Sequence, residues 1–164
     1  MKINSAALPG HLEQTVKPLY LLFGGEPLLV EESADLLRTV FRQQGFEERV
    51  RFSVTDARSF DWGALSQATA ALSLFSTQRL IELRLPGGRP GDAGAKALIE
   101  FSSHPQQDTM MVVIAGALDR RIQNTKWFKQ VESAGVMVEH REIKPGELPG
   151  WITARLREKG IAFE

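Results

Sequence analysis

Short apolar runs alternate with longer stretches of helical period along this chain, the pattern of an α/β fold whose strands are covered on both faces. Five runs have the length of a strand, and most are rich in Val, Ile, Leu or Phe: Leu19 to Phe23, Val50 to Val54, Arg79 to Leu85, Thr109 to Ala115 and Val136 to Arg141. After the first run, Pro27 suits a first helical turn and Glu31 and Glu32 favour the positive end of a helix. Val30, Leu37 and Phe41 then mark an apolar stripe that stops before Gly45. Asp61 reads as an N-cap for a helix from Trp62 to about Leu72, with Trp62, Leu65, Thr69 and Leu72 roughly on one face. Asp119 to Ala134 predicts a further helix, stopped by Gly135, with Ile122, Trp127, Phe128 and Val131 as its apolar content. Pro86 to Gly94 is rich in Gly and Pro and predicts a mobile loop before periodic structure resumes over Lys96 to Phe101. Pro145 to Gly150 follows the fifth run, and a helix is expected from Trp151 to Lys159. The expected organisation is one domain over residues 1–143, with a linker and the first helix of a second domain over residues 144–164.

Composition narrows the function classes. With 164 residues, 43% hydrophobic and 24% charged, the chain has enough material for one α/β domain with a sizeable core. Lys and Arg total 20 and Asp and Glu total 20, so attraction to nucleic acid or to an anionic membrane has to be local. The absence of cysteine excludes disulfides, thiolate metal sites and cysteine nucleophiles, and agrees with a reducing cytoplasm. His11, His104 and His140 have no metal-ligand spacing, so no metal is expected. Met1 to Gly10 is not a basic start followed by an apolar run, and no stretch approaches the ~20 apolar residues that span a bilayer. The expectation is a mature cytoplasmic protein with no membrane partner.

The first strand runs into Gly24, Gly25, Glu26 and Pro27 and then a helix, where a P-loop fold places its phosphate-binding loop. The phosphate chemistry is missing. Counted from Gly24 in G-x-x-x-x-G-K-[ST], the second glycine is Leu29, the lysine is Val30 and the hydroxyl residue is Glu31; counted from Gly25 they are Val30, Glu31 and Glu32. Carboxylates there repel a triphosphate. The run Thr109 to Ala115 lacks a metal-binding acid at its end, since Gly116, Ala117 and Leu118 intervene before Asp119. Gly24 and Gly25 are therefore expected to form a tight turn with no bound nucleotide or other cofactor. The glycines of Pro86 to Gly94 fail G-x-G-x-x-G as well, because Pro90 occupies the position required after Gly88. Neither G-x-S-x-G nor H-E-x-x-H occurs, and Glu26, Glu31, Glu32 and Asp35 are expected to be a solvated helix start. No catalytic residue is assigned. Arg120, Arg121, Lys126 and Lys129 have the chemistry to meet phosphate, yet on a helix with an apolar face they read as its wet side.

Leu72, Ser73, Leu74, Phe75 and Ser76 stand between the helix beginning at Trp62 and the third strand. Adjacent side chains face opposite ways in a strand and diverge by about 100° in a helix. One core therefore hardly accepts both Leu74 and Phe75, and the pattern leaves exposure and burial of the pair equally open.

The run Tyr20 to Leu29, followed by Glu32 and Ser33, resembles the start of the bacterial DNA polymerase III delta subunit family, the clamp-loader delta subunits. The likeness continues through Gln44 to Glu48, Asp61 and Trp62, Ser73 to Phe75, Trp127 and Phe128, and Leu148, Pro149 and Trp151, in the family's order. Each motif is weak alone; the ordered series is specific, and residues 1–18 match less clearly. The resemblance implies an AAA+-like domain with a mostly parallel five-stranded sheet flanked by helices, a degenerate nucleotide site, and no ATP hydrolysis. It implies a role in DNA replication as an accessory subunit of the DNA-directed DNA polymerase, which grips the beta sliding clamp and lets the ring open for placement on primed DNA. The implied partners are that clamp, the clamp-loader ATPase subunits gamma and tau, and delta prime. By the same resemblance Leu74 and Phe75, with Leu72 and Ser73 beside them, enter a hydrophobic pocket of the clamp, although Leu72 stands where relatives carry methionine. A nucleotide-binding switch or ATPase, a DNA-binding module, and a scaffold without clamp contact are the competing readings.

Overall fold

The computed structural model describes residues 1–70 and 78–162. Six strands form one sheet: β1 (Lys2–Asn4), β2 (Leu19–Gly24), β3 (Glu48–Ser53), β4 (Arg79–Leu85), β5 (Thr109–Ala115) and β6 (Val136–His140), in the order β1-β6-β2-β5-β4-β3. Every neighbouring pair is parallel. Among the described residues seven α-helices connect or follow them: α1 (Leu8–Gln14), α2 (Pro27–Gln43), α3 (Trp62–Ala70), α4 (Gly91–Ser103), α5 (Arg120–Gln123), α6 (Lys126–Ala134) and α7 (Leu148–Glu158).

The sheet has six strands where five were expected. The extra one, β1, pairs with the outer side of β6, Ile3 against Val138, and three residues at an edge are too short to declare a period of two. The inner strands show that period as two cores. Leu19, Leu21 and Phe23 of β2, with Ile81, Leu83, Met111 and Val113, pack under α3, α4, α5 and α6; Tyr20 and Leu22, with Leu80, Val112 and Ile114, pack under α1 and α2. Helix α2 contributes Val30, Ala34, Leu37 and Phe41, the expected stripe extended by Ala34.

Two further expectations are corrected. The segment Pro86 to Gly94 is not a loop throughout, because Pro86–Gly88 forms a 3-10 turn and α4 already begins at Gly91. Gly94 lies inside that helix because a Cβ there would stand 2.5 Å from the Trp62 ring, so only glycine lets α4 approach α3 this closely. The helix expected over Asp119 to Ala134 is two helices. Asp119 caps α5 by accepting from the Ile122 N–H at 2.9 Å, and the chain turns through Asn124 and the extended Thr125 before α6. All four expected apolar side chains, Ile122, Trp127, Phe128 and Val131, are buried despite that break.

Candidate functional site

The carboxyl ends of β2 and β5 are where a doubly wound sheet leaves a crevice, because α2 leaves β2 on one face while the chain from β5 to β6 crosses the other through α5 and α6. Gly24 and Gly25 sit at this point. Gly24 has φ +144°, and a Cβ on it would lie 2.2 Å from the His140 carbonyl oxygen; a Cβ on Gly25 would meet nothing within 4 Å. The Gly24 N–H donates to the Gly116 carbonyl at 3.1 Å, which joins the two strand ends. The turn thus serves packing: its amide is spent inside the protein rather than presented to an anion.

Beyond the turn, Pro27 opens α2, and neither P-loop register finds a phosphate ligand. Val30 is buried in the core under α2. Glu31 receives Arg84 of β4 in a bidentate pair, Nη1 to Oε1 at 2.6 Å and Nη2 to Oε2 at 3.2 Å. Those hydrogen bonds hold the Glu31 carboxyl below its ordinary range against the effect of burial. Glu32 receives Arg155 of α7, Nε to Oε1 at 3.0 Å and Nη2 to Oε2. The solvated helix start expected here is corrected for two of its residues: Glu31 and Glu32 lie beyond the first turn and each is engaged by an arginine from another element.

A second group fixes the same end of the sheet. His140 is buried at the end of β6, with Nδ1 2.9 Å from the Phe23 carbonyl and Nε2 2.7 Å from Ser33 Oγ. A carbonyl only accepts, so Nδ1 carries the proton and Nε2 accepts from the Ser33 hydroxyl. Desolvation pushes the His140 pKa down, against the backbone hydrogen bonds. Deeper in the α2 face, buried Glu82 accepts from Arg38 Nε at 2.6 Å and from Arg49 Nη2 at 3.0 Å. The signal for Arg84 and Glu82 was present as two charges on one face of the mostly apolar strand Arg79–Leu85; nothing local marked Arg155 as the partner of Glu32, or Ser33 and His140 as partners of each other.

Close to the start of α2, a cleft of about 420 Å³ is lined by Glu26, Leu28, Glu142, Ile143, Leu148 and Trp151, among others. Arg120, Arg121, Lys126 and Lys129 are all exposed, on helices whose other face is buried, as expected of a wet side. Leu72, Ser73, Leu74 and Phe75 lie outside the described residues, between the end of α3 and the start of β4. Among the described residues no group of three or more His, Cys, Asp or Glu is placed to hold a metal, and no helix is long and apolar enough to cross a membrane.

Comparison with known proteins agrees with this geometry. The chain is 30% identical over 164 residues to DNA polymerase III subunit delta of Escherichia coli K12, and 28% identical over 163 residues to that of Haemophilus influenzae. It covers 47% and 46% of those proteins, so it spans about half the length of the curated relatives it matches. The solved structure of the Bacillus subtilis DNA clamp loader delta protein shares the fold with a TM-score of 0.67 at 18% identity, over 94% of this chain and 48% of that one. The sequence profile of the family described as DNA polymerase III, delta subunit matches residues 20–141, and the chain belongs to that family.

Proposed function

We propose that this chain is the clamp-binding part of a clamp-loader delta subunit: it grips the beta sliding clamp through Leu74 and Phe75, with Leu72 and Ser73 beside them, and promotes ring opening for loading onto primed DNA. The observation that carries the reading is the family match across residues 20–141, which spans the Leu72 to Phe75 run. On this reading the domain over residues 1–143 is AAA+-like, supported by the parallel sheet with β2 and its glycine turn flanked by β6 and β5. Residues 144–164 then begin a lid-like second domain. The protein is cytoplasmic, needs no cofactor, and acts without chemistry of its own beside gamma or tau and delta prime.

Support for a non-catalytic role comes from α2, where Val30 is buried and Glu31 and Glu32 are held by Arg84 and Arg155, leaving no cation for a phosphate. The decisive experiment is the double variant Leu74→Ala with Phe75→Ala, titrated against purified clamp. Two apolar side chains entering a pocket contribute ~1.5–3 kcal/mol each. Loss of both is expected to weaken binding at least ~100-fold, at ~1.4 kcal/mol per factor of ten. Retained clamp affinity with a large fall in melting temperature would identify the pair as core and refute the assignment.

A further inference from the structure

Helix α7 lies against the start of α2, yet none of its described residues is buried, whereas α2 buries six. What holds it is concentrated in two side chains one turn apart. Arg155 makes the bidentate pair with Glu32, and its guanidinium lies 3.7 Å from the centroid of the Trp151 ring. Trp151 in turn lines the cleft with Leu28 of α2, and its indole N–H is shut away from solvent with no acceptor among the described residues. The stack fixes the guanidinium plane and the two-pronged pair fixes its direction, so the contact is oriented. It is also weak. The Arg155 and Glu32 side chains are 31% and 41% exposed, and pairs in that setting are screened by salt.

Glu32 stands where one P-loop register places the hydroxyl residue. In a nucleotide switch, phosphate and its metal bridge this part of the fold; here the carboxylate belongs to α2 and the cation comes from α7. We infer that Glu32, Arg155 and Trp151 form a latch that docks α7 on the start of α2, so that an internal ion pair, in place of a nucleotide, sets the orientation of α7 against the domain. The latch goes beyond clamp binding and does not depend on it.

The chain has no cysteine, so Gln43→Cys with Glu158→Cys, both at exposed helix positions, carries two spin labels in the intact protein. The wild-type pair is expected to give one narrow distance distribution at low salt. Glu32→Gln and Arg155→Gln broaden it, with amide exchange in α7 rising about fivefold, the factor that corresponds to ~1 kcal/mol. Exchange in α6 stays unchanged. Trp151→Leu, which removes the stack and leaves both charges in place, broadens the distribution as well, and molar salt broadens the wild type but not Glu32→Gln. A broad wild-type distribution, or a Glu32→Gln or Trp151→Leu variant as narrow as wild type, would overturn the latch. Clamp titration of the same variants, expected to match wild type, keeps its failure separate from failure of the clamp-binding reading.

Discussion

Glu82 offers the sharpest test of how the α2 face is held. Its carboxylate is 2% exposed in the middle of β4 and accepts three hydrogen bonds, from Arg38 at 2.6 and 3.2 Å and from Arg49 Nη2 at 3.0 Å, with Arg49 Nε in ion-pair contact at 2.7 Å. Glu82→Gln keeps the shape but removes the charge, and sets an amide donor against two guanidinium groups. Breaking a buried pair from one side leaves the other charge uncompensated and costs about 3–5 kcal/mol. At roughly 2–4 °C per kcal/mol for a chain of this size, the melting temperature should fall by about 6–20 °C. Burial alone would raise the Glu82 pKa, but the bonds and charges of Arg38 and Arg49 outweigh it and bring the pKa below its ordinary value of 4.5. A lowered folded-state pKa means that the stabilisation is complete above about pH 4.5 and is lost as pH falls through the folded value. Thermal and denaturant melts from pH 7 down to pH 3 measure both effects. Wild type should lose stability along that acid limb, and Glu82→Gln should start lower and lose less. A variant within ~1 kcal/mol of wild type at pH 7, with the same acid limb, would refute the argument.

Other expectations follow from the same end of the sheet. Gly24→Ala should destabilise by at least ~2 kcal/mol in denaturant melts, because its Cβ would stand 2.2 Å from the His140 carbonyl at a φ of +144°, whereas Gly25→Ala, with open space around it, should stay within ~0.5 kcal/mol. His140 is held neutral with a pKa below its ordinary 6.5, so stability should decline as pH falls from 6.5 toward the folded value, and His140→Gln should flatten that part of the curve in melts between pH 5 and 7.5. Calorimetry with ATP and magnesium should show no saturable binding; micromolar, magnesium-dependent heat would restore the nucleotide-switch reading.

What was legible in the sequence was whatever the hydrophobic period carried. Strands β2, β4 and β5 fall within a residue of the expected runs, because central parallel strands are apolar on both faces and announce themselves as continuous blocks. Strand β3 starts two residues before its expected run, since it is the sheet edge and its first two residues are charged: Glu48 pairs with Arg79 at 3.7 Å and Arg49 reaches the buried Glu82. Helix α1 escaped because seven residues beginning Leu8, Pro9, Gly10 give too short a period, even though Leu8 and Leu12 are both buried. For the site, the missing phosphate chemistry of Gly24 to Glu32 was readable from spacing alone. Its replacement was not, since Arg84 and Arg155 lie 53 and 123 residues from the carboxylates they engage.

The polar pairs also bear on how α2 finds its place. Glu31 and Arg38 lie two helical turns apart, and they meet Arg84 and Glu82 of β4 in reverse order, as a helix running back across parallel strands requires. The order of charge is acid then base along α2, and acid then base along β4. Sliding α2 toward the amino ends of the strands by two strand residues would bring Glu31 to Glu82, and the opposite slide would bring Arg38 to Arg84. Either shift juxtaposes like charges, and repulsion is least screened where the buried Glu82 would receive Glu31. Leu37, Phe41 and their neighbours drive α2 onto the sheet but tolerate a small slide, because apolar contact is not directional. The charged pairs do not. They contribute less to net stability than to a single register for the helix, and that register brings Ser33 to His140 and Glu32 to Arg155 at the carboxyl ends of β2 and β6.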